Sequence, residues 1–185
     1  HAQAIEMARL APTHGASAAV LRLAERIINA QEDEIATMRQ WLADRGQPLP
    51  TVRPTLPAAA DAHAGHGAAA APAPAPAGAA VLGGHGAHGG AHGGAHEAMA
   101  GMLSAAEMQA LDRSRGADFD ERFLRAMIQH HRGAVTMVAE LFATDGAGQD
   151  ETIFKFASDV QVDQRTEIAR MERMLFARML ERDAR

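Results

Sequence analysis

Apolar residues recur at helical spacing through the first quarter of the chain, in the run Val20, Leu21, Leu23, Ala24, Ile27, Ile28, Ile35, Met38 and Leu42. That period predicts amphipathic helices rather than strands. Pro12 to Ser17 interrupts the run, and Gly46 followed by Pro48 closes it, so residues 1–46 read as a helical hairpin. From Ser104 the pattern turns helical again. Ser104 and Glu107 have the spacing of a capping box for a short helix ending near Arg115 and Gly116. Asp118 is the expected N-cap of a long helix from Phe119 to about Phe142. After a break at 144–149 containing Gly146 and Gly148, a last helix is expected from Glu151 to Arg182, which makes a second hairpin within 99–185.

Residues 47–98 have a different character, with Pro48, Pro50, Pro54 and Pro57, an Ala-Pro alternation through Pro76, and Gly-rich repeats punctuated by His85, His88, His92 and His96. This stretch has almost no large apolar side chain to bury, so a disordered linker is expected.

The two hairpins repeat one another. His1, Ala4 and Met7 fall on His131, Ala134 and Met137 at a constant offset of 130 (131 − 1, 134 − 4, 137 − 7). Ala24, Gln31, Glu34, Ile35, Met38 and Leu42 fall on Ala157, Gln164, Glu167, Ile168, Met171 and Leu175 at an offset of 133 (157 − 24). Neither hairpin can bury its stripes alone; two related ones packed together give an all-α four-helix bundle with approximate twofold symmetry.

Composition removes several classes of function. With no Cys there is neither a disulfide framework nor a thiolate metal site, and metal chemistry falls to His, Met and carboxylates. A net charge of −5 without a basic cluster argues against a nucleic-acid partner. No apolar run approaches the ~20 residues of a membrane span. The chain opens at His1 directly in an apolar helical pattern without a capping residue, which reads as a processed or cut end inside a helix.

Polar residues stand in or beside the apolar stripes in both copies. His131 lies near the centre of the stripe Phe123, Leu124, Met127, Ala134, Val138, Leu141 and Phe142, with His130 on its flank and Met137 seven residues on. In the last helix Gln164 lies among Val160, Ile168, Met171 and Leu175, with Glu167 and Met174 at the edge. Gln31, Glu34 and Met38 repeat this in copy one. An unpaired buried polar group costs ~1–3 kcal/mol, so these side chains need partners. One reading is a hydrogen-bonded layer with Met filling gaps. The other is a metal site built from Met127, His130, His131 and Met137 with Glu167, Met171 and Met174, a soft-to-borderline donor set that favours copper. Spacing alone leaves both open. The linker histidines read either as weak metal ligands or as a soluble tether, and His14 reads as ordinary solvated surface.

The run Phe119, Asp120, Phe123, Leu124, Met127, Ile128, His130, His131, Gly133, Ala134, Met137, followed by Gln164, Glu167, Ile168, Met171, Met174 and Leu175, resembles the bacterial DUF305 family over both hairpins. The resemblance implies a ferritin-like four-helix bundle, a periplasmic or secreted location, and copper held by Met and His, as Cu(I) or Cu(II). Carried over by position, it points to Met127, His130, His131, Met137, Met171 and Met174 in the second copy and to His1, Met7 and Met38 in the first. Copy one departs from the pattern: the stretch expected before His1 is missing, and Trp41 stands where copy two has Met174.

The function expected on these grounds is copper binding, buffering or transfer in the cell envelope, without catalysis, with a homo-oligomer or a copper-exchanging protein as a further partner. The alternative is a non-metal helical scaffold. A di-iron oxidase requires Glu-x-x-His on two helices, which the sequence lacks.

Overall fold

The computed structural model describes residues 1–56 and 99–183. Its helices are α1 (Ala2–Leu10), which runs into a short 3-10 turn, α2 (Ala18–Asp44), α3 (Ala105–Arg113), α4 (Gly116–Ala143) and α5 (Glu151–Asp183). Among the described residues there is no strand. The linker histidines His85, His88, His92 and His96 lie outside the described residues.

Local chemistry sets the helix ends. Ser17 caps α2 by accepting from the Val20 amide at 3.4 Å. Ser104 and Glu107 close both bonds of the expected capping box on α3. The start of α4 differs from expectation: it begins at Gly116 behind Arg115, which makes no side-chain cap. Asp118 lies inside the first turn, where its carboxylate favours the helix N-terminus and takes Arg122 Nε at 2.9 Å.

The two hairpins pack antiparallel across the bundle. The Gly116 amide donates to the His14 carbonyl at 2.8 Å, so the end of α1 meets the start of α4. At the other end, Trp41 Nε1 donates to Asp150 at 3.1 Å and Arg45 pairs with the same carboxylate, joining the end of α2 to the start of α5. Most of the apolar core lies toward the α3 end, around Met7, Leu23, Ile27, Leu111, Phe119 and Phe123. A smaller cluster, Val138, Ala157 and Val160, lies beyond His131 and before Gln164. The repeated polar residues sit between these two clusters.

Three polar contacts hold the pieces in register. Buried Asp120 accepts from Arg178 Nη1 at 2.7 Å and from the Ser17 amide at 3.1 Å, tying α4 to α5 and to the start of α2. Gln3 on α1 exchanges two bonds with the Leu103 backbone, at 2.9 and 2.8 Å. Glu6 accepts from the Thr55 and Leu56 amides. His14 is corrected from a surface residue to a buried one: it packs against Phe119 at 5.1 Å between ring centroids, and its Nε2 lies 2.8 Å from the Asp112 carbonyl.

Candidate metal centre

The duplication produces two His–carboxylate pairs. His131 Nε2 lies 2.7 Å from Glu167 Oε2, and at the sister positions His1 Nε2 lies 3.3 Å from Glu34 Oε2. The first contact is an aligned hydrogen bond. The second is at ion-pair distance but poorly aligned, so Glu34 Oε2 has no hydrogen-bond partner. The His131 side chain is fully enclosed, and Gln31 and Gln164 are buried in the same layer.

The layer does not satisfy its own polar atoms. Both amide atoms of Gln31, Gln164 Oε1 and the Nδ1 atoms of His130 and His131 are buried without a partner. Where Nε2 of His131 donates to Glu167, its Nδ1 keeps a lone pair with no donor opposite. Burial, helped by the positive amino group of His1 and by His131, pushes His130 down to about 3. At neutral pH that ring is therefore uncharged and a competent ligand. Burial foremost, then the Glu167 carboxylate and Asp163, pushes Glu34 up to about 7, against the opposing pull of the His1 amino group and Gln164.

The expected donors divide into groups. Met127 and Met171, both fully buried, lie one helical turn from His131 and Glu167 on α4 and α5. Met174 is half-buried against the same core. Met7 is fully buried further into the apolar cluster, and Met38 is half-buried on α2, one turn past Glu34. Met137 does not join the interior group: it is 40% exposed. Phe142, expected in the same stripe, is likewise exposed.

Among the described residues no three His, Cys, Asp or Glu side chains are grouped to hold an ion, so a nitrogen–oxygen cage of the zinc or calcium kind is not formed. Thioether sulfurs beside imidazole make a soft-to-borderline donor set. Glu167 is better placed to orient the His131 ring than to ligate, since it already accepts from Nε2. The sequence reading missed Gln3 and the inward role of Asp120; a polar residue within an apolar run was the available signal for both.

The fold and layer define a duplicated helical bundle with imidazole and thioether side chains at its pseudo-twofold centre. The chain belongs to the family described as "Domain of unknown function (DUF305)", which it matches over residues 1–175. It is similar to a DUF305 fragment from Deinococcus radiodurans, with a TM-score of 0.66 and 24% identity over 96% of this chain and 88% of that one. A putative secreted DUF305 protein from Streptomyces coelicolor gives a TM-score of 0.66 and 22% identity over 96% and 86%. CopM in its Cu(I)-bound form gives 0.58 and 23% identity over 94% and 86%. These likenesses establish the shared fold. No curated protein matches the sequence. Among the described residues no helix is long and apolar enough to cross a membrane.

Proposed function

We propose that this chain binds copper as Cu(I), without catalysing a reaction, through His131 Nδ1 with the Met127 and Met171 thioethers, while Glu167 holds the imidazole from its other nitrogen. The observation that carries the reading is the buried, unpartnered Nδ1 of His131 on a ring fixed by a 2.7 Å bond to Glu167. A bare lone pair in a sealed apolar setting is costly unless a cation or a donor meets it. The Cu(I)-bound CopM, which shares the fold, supports the choice of metal. The relative from Streptomyces coelicolor described as a putative secreted protein supports an envelope location, where such a protein would buffer or hand on copper.

The test is Cu(I) affinity by chelator competition under anaerobic, reducing conditions. Glu167→Gln removes the orienting carboxylate and should weaken binding ~10–100-fold, the usual effect of losing such a partner, and His131→Asn should weaken it further. Unchanged affinity in His131→Asn removes this reading. A second reading, a polar layer without metal, draws on the two His–Glu pairs satisfying part of their own needs. It is favoured if wild-type chain binds no Cu(I) and a solution structure shows water bridging Gln31 and Gln164.

A further inference from the structure

The chain that leaves the first hairpin and the chain that enters the second are gripped at one point on α1. Buried Gln3 donates from its Nε2 to the Leu103 carbonyl at 2.9 Å and to the Thr55 hydroxyl at 3.4 Å, and its Oε1 accepts from the Leu103 amide at 2.8 Å. One nitrogen reaches both partners, so Thr55 Oγ1 and the Leu103 oxygen are no more than 6.3 Å apart, the 2.9 and 3.4 Å taken end to end. Positions 48 residues apart in sequence (103 − 55) therefore lie side by side.

Each side has a further anchor of its own. One turn along α1, the Glu6 carboxylate accepts from the Thr55 amide at 3.0 Å and from the Leu56 amide, and the Leu56 side chain packs against the core. On the other side, residues 99–103 are seated on α4. A Cβ placed on Gly133 would lie 2.0 Å from the Ala100 carbonyl oxygen, and Leu103 is buried. The hairpins are aligned by other contacts at the two ends of the bundle, from Gly116 to His14 and from Trp41 to Asp150. Every one of these ties lies within residues 1–56 and 99–183.

We infer that Gln3 and Glu6 form a clamp that closes the chain on itself at the base of residues 57–98, so that the bundle is complete without the length of that segment and gains stability when it is shortened. The sign follows from loop closure. A clamp that holds the two ends together leaves an entropic cost that grows with the number of residues between them, as (3/2)RT ln n. Ends held apart would give the opposite sign, because a short bridge would have to pull them together. The inference does not rest on the copper reading.

The test is a chain lacking residues 62–93, which keeps ten of the 42 residues between Leu56 and Met99 (98 − 56, less 93 − 61). Ten extended residues span ~33 Å, more than the roughly 25 Å that the clamp contact and the steps from Leu103 back to Met99 can require. Urea denaturation of the metal-free protein should show a folding equilibrium constant ~8-fold higher than in the full chain. Amide hydrogen exchange at Thr55, Leu56 and Leu103 should keep its protection. Gln3→Leu in the full chain should speed exchange at Leu103, and in its background the same deletion should give a smaller gain, since the ends are no longer pinned. The milder Glu6→Ala, which frees only the Thr55 and Leu56 amides, should reduce the gain in the same direction. A shortened chain that is less stable than the full one, or that loses protection at Leu103, overturns the inference. An equal gain with and without both clamp residues refutes the part assigned to Gln3 and Glu6.

Discussion

Gly133→Ala tests the close approach of residues 99–103, a strap that lies across α4 at Gly133, because in an ordinary helix this substitution is stabilising. Replacing a mid-helix Gly by Ala gains ~1 kcal/mol. Here the added methyl would lie 2.0 Å from the Ala100 carbonyl oxygen, 2.4 Å from its carbon and 2.5 Å from the Gly101 Cα. Backbone atoms cannot swing aside as a side-chain tip can, so the strap must lift from α4. Lifting it loses the two bonds between Gln3 and the Leu103 backbone, at ~1 kcal/mol each, and loosens buried Leu103, with strain of ~1–3 kcal/mol if the strap stays in place. The gain and the losses combine to a net destabilisation of ~1 kcal/mol, which lowers the melting midpoint by ~2–4 °C for a chain of this size. Thermal melts give the net effect, and amide hydrogen exchange at Leu103 gives its location. Leu103 should exchange faster while amides in the α4–α5 core keep their protection. A variant more stable than wild type with Leu103 protection intact would refute the close approach.

Asp120→Ala removes a buried carboxylate from Arg178 and from the Ser17 amide, and should cost ~3 kcal/mol by urea denaturation, as breaking buried pairs does. Met127→Leu and Met171→Leu conserve volume in a packed core and should change stability by less than ~1.5 kcal/mol while weakening Cu(I) binding; affinity and melting measured on the same preparations separate the two effects. The layer also fixes two opposite pH dependences. Glu34, raised from 4.5 to about 7, binds its proton more tightly in the folded chain, so its contribution is present below 4.5 and lost as pH rises toward 7. His130, lowered from 6.5 to about 3, contributes above 6.5 and loses that contribution as pH falls toward 3. In metal-free Glu34→Gln the stability should therefore rise with pH from 3 to 6.5, and in metal-free His130→Asn it should fall with pH from 4.5 to 7. Urea midpoints across pH check both signs, and equal slopes in the two variants would contradict the burial of these groups.

Periodicity and duplication made the helices and the polar layer legible before any coordinates. The repeat, at an offset of 130 for His1 and His131 (131 − 1) and of 133 for Glu34 and Glu167 (167 − 34), contains both His–Glu pairs, because a repeat that preserves helix faces also preserves what meets across them. The misreadings share a physical origin. His14 and Asp118 were judged by local pattern, but His14 is enclosed by Phe119 and Asp112 from elsewhere in the chain, and the first turn of α4 starts earlier than its nearest capping-type residue. Met137 follows helical spacing from His130, yet it is 40% exposed; spacing along one helix does not say which part of its face a neighbour covers. The Gly101–Gly133 contact had no readable signature, since a glycine needed for close approach looks like any other glycine until its neighbour is known.

The two copies carry the same polar pattern in different surroundings. In copy two the His131–Glu167 bond is short and its imidazole fully enclosed, with Met127 and Met171 buried nearby. In copy one the His1–Glu34 pair is longer and partly open, and Met38, the counterpart of Met171, is only half-buried. Trp41, the counterpart of Met174, is committed to Asp150 through its ring nitrogen and lies under the Arg45 guanidinium at 4.1 Å. Where copy two has a thioether, copy one thus has a residue that fastens α2 to the start of α5. On the copper reading proposed above, the imidazole and thioether donors therefore lie in the second hairpin, while the sister position on α2 holds the bundle together through Trp41 and Asp150.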